Sequence, residues 1–172
     1  MNPVCIRQAD KRDLIDLEWQ GEYTHFRRLY ADTYSMVEQG TAVIWIAELN
    51  GSGLIGQCFV SLKRNLNGLA DGIERAYLYG FRVKPEYRNQ GVGTKIMGII
   101  EQDLKGRNFQ QVTLNVGQEN QAARRFYERL GYVVIGSDPG YWSYIDDKGK
   151  RIDMHEPAWR MVKTLGKYRA ER

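Results

Sequence analysis

The segment at residues 83–94 constrains the fold of this chain most, because it reads as a strand that runs through a glycine-containing loop into a helix. Gly91 and Gly93 remove side chains at points where a ligand would have to approach the backbone. The unpaired backbone amides at the start of the helix add a partial positive charge. The segment therefore predicts an anion-binding loop, into which a pyrophosphate would fit.

Two other phosphate-binding motifs do not match this loop. A dinucleotide-binding fingerprint needs a third glycine, and Ile96 stands in its position. A P-loop is excluded because Gly93-Thr94-Lys95 has the wrong order and spacing. By itself the loop is a weak indicator, since glycine near a helix start is also typical of packing and turn chemistry.

Hydrophobic patterning predicts that this loop belongs to a series of strands and helices. Asp10 is expected to cap a first helix, and Asn50-Gly51 is a strong hairpin turn signal. The order strand, helix, strand, helix after residue 75 implies a parallel crossover unit whose helices cover the sheet. Strands are predicted at residues 4–7, 41–49, 54–62, 75–83, 111–116, 132–135, 141–145 and 151–163, and further helices at 23–38, 91–106 and 120–130.

Size and composition predict a single domain across residues 1–172. Hydrophobic residues make up 42% of the chain and charged residues 27%, which is typical of a folded soluble protein. Every apolar run is far shorter than the ~20 residues of a membrane-spanning helix, and the N-terminus lacks the apolar core of a secretory signal. A cytoplasmic location is therefore expected, with Cys5 and Cys58 as reduced core thiols that have no assigned role.

Charge and metal-ligand patterns argue against two other functional classes. The formal net charge is +4, but 25 basic and 21 acidic residues are interleaved along the chain, so a nucleic-acid partner is not expected. His25 and His155 are too few and too far apart to form a recognisable metal site. Neither a metal nor a membrane partner is predicted.

Two motifs resemble those of a known family. Arg88-x-x-Gly91-x-Gly93, preceded by Val83-x-Pro85-Glu86-Tyr87, resembles the acetyl-CoA pyrophosphate motif of the GNAT superfamily of N-acetyltransferases. Asn120-x-x-Ala123-x-x-x-Tyr127-x-x-x-Gly131-Tyr132 is similar to the second CoA-binding segment of that superfamily. The resemblance implies an α/β (α+β) fold, with a GNAT-like mixed, mostly antiparallel central sheet, a parallel splayed strand pair and helices on both faces.

The resemblance also implies an enzyme, an N-acetyltransferase that moves an acetyl group from acetyl-CoA, its co-substrate, to a primary amine of unknown identity. In that superfamily the amine attacks the thioester directly in a ternary complex, so positioning supplies much of the rate. A free amide near Phe81 would polarise the thioester carbonyl. The residues expected to bind CoA are Phe81, Arg82, Val83, Arg88, Asn89, Gln90, Gly91, Val92, Gly93, Thr94, Asn120, Ala123 and Tyr127.

Tyr127 and Glu74 are the expected catalytic residues. The resemblance makes Tyr127 a hydrogen-bond donor to the departing CoA sulfur, because a phenol of pKa about 10 is too weak an acid to protonate a thiolate whose thiol has a pKa of about 8.5. Many members of the superfamily carry an acid on the strand before the phosphate loop, whereas residues 77–81 contain none. Glu74, at the start of that strand, is the first choice of base and would act through water. Glu22, also through water, and Tyr79, which would orient the amine, are the alternatives.

The acceptor is not fixed by the sequence. Small-molecule and peptide amines, an acyl group other than acetyl, and a monomer or homodimer all stay open. A catalytically weak acyl-CoA-binding or sensing protein of the same fold is the alternative function. Four aromatic residues could line an acceptor pocket, although sheet packing is the commoner use of such side chains: Tyr141, Trp142, Tyr144 and Trp159.

Overall fold

The structure is a computed structural model that describes residues 3–63, 65 and 68–166. No helix among them is both long and apolar enough to span a bilayer. Short 3-10 helices lie at Lys11–Gly21, Thr24–Phe26 and Pro85–Tyr87. The remaining elements follow the order β1 (Val4–Gln8), α1 (Arg27–Glu38), β2 (Ala42–Leu49), β3 (Gly53–Ser61), β4 (Arg75–Val83), α2 (Val92–Gly106), β5 (Gln111–Gly117), α3 (Gln121–Arg129), β6 (Val133–Asp138), β7 (Tyr141–Ile145), β8 (Arg151–His155) and β9 (Ala158–Thr164).

One sheet holds most of the strands, in the order β1-β2-β3-β4-β5-β9-β6, and β7 pairs with β8 in a separate hairpin. Each neighbouring pair in the larger sheet is antiparallel except β4 and β5, which run parallel. Helix α2 connects these two parallel strands, because a parallel pair needs a crossover connection. The prediction of a mixed, mostly antiparallel sheet with one parallel pair is confirmed.

Helices cover both faces of this sheet, as predicted. Alternate residues of β2 divide between two cores, with Trp45 on the face of α2 and Ile44 on the face of α1. On the α1 face, Tyr30 packs against the ring of Phe59 at a centroid distance of 5.4 Å. On the α2 face, one stripe of the helix is buried, and it consists of Val92, Ile96, Ile100 and Leu104.

Three details of the elements differ from the sequence predictions. The strand predicted over residues 151–163 is two strands, β8 and β9, because Pro157 between them has no N–H for a ladder. The helix that Asp10 caps is a 3-10 helix, kinked where Trp19 and Gln20 adopt φ values of 47° and 59°. The helix predicted from residue 23 begins with a 3-10 turn and becomes α-helical at Arg27.

The two cysteines lie in different environments. Cys58 of β3 is fully buried, and desolvation raises the pKa of its thiol. Cys5 of β1 is exposed, because β1 is an edge strand and this side chain points away from the core. The expectation of core thiols is therefore right for Cys58 and wrong for Cys5.

Candidate active site

The parallel strands β4 and β5 separate part of the way along their length. Their pairing runs from Arg75 opposite Gln111 to Leu78 opposite Leu114 and then stops. Both strands continue beyond that point, β4 to Val83 and β5 to Gly117. The main chain of β4 after Leu78 therefore faces a gap on its β5 side, where backbone groups are free to pair with a ligand.

A bulge in β4 shapes one side of this gap. Gln57 of β3 is opposite Arg82, but Phe59, two residues later, is opposite Tyr79, so β4 has one extra residue. Gly80 takes this irregular position with a φ of 61°, and a Cβ there would lie 2.6 Å from Cδ2 of Phe59. The extra residue reverses the alternation of side chains, so that Arg82 faces α1 and the flanking side chains of β4 face α2.

The loop between β4 and α2 opens beside this gap. Gly91 is the N-cap of α2 with a φ of 82°, and a Cβ at this residue would meet no heavy atom within 4 Å. The amides of the first helical turn have no intrahelical partners. Arg88 and Gln90 secure the loop, because Arg88 Nε donates to the carbonyl of Val83 at 2.8 Å and Gln90 Nε2 donates to that of Glu86 at 2.9 Å.

The two glycines of the loop have different surroundings. A Cβ at Gly93 would lie 3.2 Å from Cζ of Phe126 and 3.3 Å from Cζ of Phe81, so two aromatic rings fill the space beside it. Gly93 therefore allows ring packing between β4 and α3, whereas Gly91 leaves open access to the backbone.

The side chain of Val92 is buried in the core, which leaves only its main chain available to a ligand. Sequence reasoning missed Phe126, for which the only signal was its position next to Tyr127.

Helix α3 carries Tyr127 to the α2 side of the gap. Asn120 caps this helix, because its side-chain oxygen accepts from the amide of Ala123 at 3.1 Å. The Tyr127 ring is 8% exposed and lies 6.3 Å from the ring of Phe81. Burial raises the pKa of Tyr127 well above its ordinary value. No described residue forms a hydrogen bond with its hydroxyl, which is therefore free to meet a ligand.

The structure does not bring Glu74 to the gap. Glu74 is exposed at the paired end of β4, where its carboxylate accepts from Gln110 Nε2 at 3.4 Å. Phe81 is seven residues further along the strand, which corresponds to about 23 Å. Neither direct transfer nor a relay through one water molecule covers that distance, so proton removal is not assigned to Glu74. Glu22 is also exposed, at the end of the first 3-10 helix.

The α1 side of the gap holds a polar cluster that sequence reasoning missed. Asp138 accepts hydrogen bonds from the Gly140 amide at 2.7 Å, from Arg160 Nη2 at 3.1 Å and from Asn115 Nδ2 at 3.3 Å. The amide of Gly140 is the main cause of a lowered pKa at Asp138, with the Arg160 and Asn115 contacts adding to it. Asn115 is the first residue of β5 beyond the paired segment. The cluster needs three strands to meet, so no local sequence pattern reveals it.

Two tyrosines of β4 lie beside this cluster. The rings of Tyr77 and Tyr79 stack at a centroid distance of 5.3 Å. Desolvation raises the pKa of Tyr77 to about 12, and the nearby charge of Asp138 adds to that shift. Desolvation also raises the pKa of Tyr79. Both phenols are therefore neutral at physiological pH and can act only as hydrogen-bonding groups.

The hairpin β7–β8 covers the start of α1. Phe26 lies 4.9 Å from the ring of Tyr144 and 6.3 Å from that of Trp142, so two of the four predicted pocket aromatics reach this side of the gap. Tyr141 instead stacks on His155 at 4.2 Å, and its side chain is exposed. Trp159 lies beneath the guanidinium of Arg124. Across the described part of the chain, no group of three or more metal-ligating side chains is present.

The chain matches one protein family and is similar in sequence to several acetyltransferases. The model of the Acetyltransferase (GNAT) family matches residues 11–132, which is more than half of the chain. N-alpha-acetyltransferase 30 of Schizosaccharomyces pombe is 38% identical over 58 residues, 34% of this chain and 39% of that protein. The 5-NmdU N-acetyltransferase of Pseudomonas phage PaMx11 is 38% identical over 63 residues, 37% of this chain and 43% of that protein. The chain thus spans about two fifths of the length of each of these relatives.

A solved structure matches over almost its whole length. The structure of Arabidopsis thaliana NAA60 in complex with acetyl-CoA has a TM-score of 0.70 to this chain at 19% identity, covering 95% of this chain and 99% of that one. At this level of identity the likeness is one of fold.

Proposed function

The chain belongs to the GNAT family of acetyltransferases, and from that premise we propose that it moves an acetyl group from acetyl-CoA to a primary amine by direct attack in a ternary complex. Residues 1–172 would act as one domain, as a monomer or a homodimer. The acceptor would be a small-molecule or peptide amine, since the two relatives are named for different acceptors.

One observation carries this proposal. Pairing between β4 and β5 ends at Leu78 and Leu114, beside a loop that is open at Gly91. The diphosphate of CoA would bind the free amides of the first turn of α2, where the helix dipole favours negative charge. The pantetheine arm carries amide groups, which would pair with the main chain of residues 81–83 as an added strand would.

Two groups would then act on the thioester. The amide of Phe81 would donate to the thioester carbonyl oxygen, which becomes negatively charged as the amine attacks. Tyr127 would donate a hydrogen bond to the departing sulfur. Because burial raises the pKa of Tyr127, its proton stays on the phenol, and the hydrogen bond stabilises the departing thiolate. As the C–S bond breaks, the nitrogen loses its second proton to solvent and the thiolate takes one up, which gives the amide and free CoA thiol.

The amine must lose a proton before it attacks. An alkylammonium of pKa about 10.4 is almost entirely protonated at pH 7. Asp138 is ionised and already engaged by Arg160, and its pKa is lowered, so it would attract the ammonium form but is a poor proton acceptor. We therefore assign proton removal to solvent at the mouth of the gap, with Tyr79 orienting the amine.

The experiment that tests this function follows both products. The purified chain is incubated with acetyl-CoA and a panel of amines, and free CoA thiol is measured together with the mass of each amine. The proposal predicts thiol release that matches, mole for mole, an amine heavier by one acetyl group. Tight acetyl-CoA binding without acetylation of any amine would instead support the sensing function.

A further inference from the structure

Arg82 occupies an unusual position for a cation on the α1 side of the gap. Its guanidinium Cζ lies 4.3 Å from the ring centroid of Tyr23 and 5.4 Å from that of Phe26. Its Nη1 donates to the hydroxyl of Tyr30 at 3.3 Å. Contact with two aromatic faces and one hydroxyl fixes the plane of the guanidinium. Arg82 is therefore positioned by neutral partners.

No carboxylate of a described residue pairs with Arg82, in contrast to other arginines near the same elements. Arg27 contacts both oxygens of Glu18, at 2.8 and 2.9 Å. Arg160 is paired with Asp138 at 3.1 Å. A guanidinium carries five N–H donors in a planar fork, and the Tyr30 hydroxyl uses one of those on Arg82. A half-buried cation with unused donors is a binding site for an anion.

The location of Arg82 connects this cation to the reaction. Arg82 directly follows Phe81, whose amide is the proposed donor to the thioester oxygen, and its side chain points to the face of the sheet opposite α2. Phe26 lies between Arg82 and the aromatic residues of the β7–β8 hairpin, Trp142 and Tyr144. Arg82 is only partly exposed, so solvent screens its attraction for an anion less than it would at an open surface.

We propose that Arg82 selects an acceptor amine that also bears an acidic group, a carboxylate or a phosphate. This inference rests on the proposed acetyl transfer and deepens it by naming a property of the acceptor. Both groups present oxygens that match the guanidinium fork. Such an acceptor would place its ammonium toward Asp138 and its acid toward Arg82, so that each of its charges meets a group of opposite sign.

The test uses matched pairs of amines that differ in one group. The carboxylate arm compares the dipeptide amides Ala-Asp and Ala-Asn, and the phosphate arm compares ethanolamine phosphate with ethanolamine. We expect kcat/KM to be at least about tenfold higher for the acidic member of one pair, since a hydrogen bond to a charged group is typically worth that much. The pair with the larger ratio of kcat/KM values shows whether the acidic group of the acceptor is a carboxylate or a phosphate. Added salt should reduce that ratio.

Variants separate recognition from packing. Arg82→Gln should lower the preference for the acidic member to near unity, through a higher KM for the acidic acceptor. Arg82→Lys, which keeps the charge but loses the fork, should keep a reduced preference. Arg12→Gln removes the same charge from an exposed arginine at the first 3-10 helix and should keep the full preference. Thermal melting of each variant shows whether it is folded.

Two outcomes would overturn the inference in distinguishable ways. Acetylation of the neutral members as fast as the acidic ones, or a preference that survives Arg82→Gln, would reject the role of Arg82 and leave acetyl transfer standing. Failure of the chain to bind acetyl-CoA in calorimetry would reject the proposed function itself, and the role of Arg82 with it.

Discussion

Leu78 and Leu114 form the last backbone pair between β4 and β5, and beyond Leu78 the strand β4 has no partner on its β5 side. The two strands separate because β4 gains one residue at Gly80, whereas β5 has no such irregularity. The backbone pairing of β5 with β9 continues without a break as far as Gly117 opposite Ala158. A change in pairing on one side of β4 thus creates a binding surface on its other side.

Replacement of Gly80 by alanine should disrupt the bulge. The new Cβ would lie 2.6 Å from Cδ2 of Phe59, a ring that is 1% exposed and has little room to move. With the added strain of a positive φ, we expect the free energy of unfolding to fall by about 2–4 kcal/mol. Because the bulge sets the position of Phe81, kcat should also fall by about tenfold or more. Urea unfolding and steady-state kinetics measure the two effects.

Gly98→Ala is the matched control for that variant. Gly98 lies within α2, where an added Cβ would meet no heavy atom within 4 Å. The change should raise the free energy of unfolding by about 0.5–1 kcal/mol, because alanine favours the helix, and leave kcat unchanged. A Gly80→Ala protein as stable and as active as the Gly98→Ala protein would contradict this account of the bulge.

Replacement of Tyr127 by phenylalanine should affect turnover selectively. The ring keeps its packing against Phe81 and Tyr132, so the free energy of unfolding should change by less than about 1 kcal/mol. Loss of the hydrogen bond to the departing sulfur should lower kcat by about a hundredfold, while the Kd for acetyl-CoA stays within about threefold. Rapid-quench kinetics and calorimetry report these values. Unchanged turnover would remove Tyr127 from the mechanism.

Two glycines with similar backbone conformations separate a binding role from a folding role. Gly91 and Gly51 have φ values of 82° and 85°, and an added Cβ would meet no heavy atom within 4 Å at either. Alanine should therefore cost each site a similar stability, about 1 kcal/mol. Only Gly91→Ala should weaken acetyl-CoA binding, by about tenfold, because its methyl group would lie where the diphosphate approaches the backbone. Equal affinities of the two variants for acetyl-CoA would argue against diphosphate binding at the loop that contains Gly91.

Stability should fall in acid partly through Asp13. Hydrogen bonds from Arg7 are the main cause of a lowered pKa at this carboxyl, which accepts both guanidinium contacts at 2.8 Å. A lowered folded-state pKa means that the stabilisation is present above the unfolded-state pKa, about 4, and is lost as the pH falls below it. Asp13→Asn should therefore lower the free energy of unfolding by about 1–3 kcal/mol at pH 7 and flatten its decline in acid.

Asp153 provides the comparison for Asp13. Its pair with Arg151 is exposed on the β7–β8 hairpin, with 77% of the Asp153 side chain accessible. Asp153→Asn should leave the pH dependence of unfolding as it is in the native protein. If the free energy of unfolding declined equally with falling pH in both variants, Asp13 would not contribute to the loss of stability in acid.

The sequence predicts local features of this fold better than those that depend on distant strands. The bounds of β4 match its β-rich segment, and the buried stripe of α2 follows the helical repeat, since both depend on neighbouring residues. The cluster of Asn115, Asp138 and Arg160 depends on three strands that meet only in the folded sheet. The distance of Glu74 from the gap could not be predicted for a similar reason, because a position on the correct strand does not give the distance to the gap.

Hydrogen exchange in the presence and absence of acetyl-CoA tests the central claim most directly. The amides of residues 81–83 and 89–94 should exchange more slowly in the complex, because the pantetheine arm and the diphosphate would occupy them. The amides of β1 and of the β7–β8 hairpin should not change. Acetyl-CoA binding that protects other segments and leaves residues 81–83 and 89–94 as they are in the free protein would contradict the proposed site.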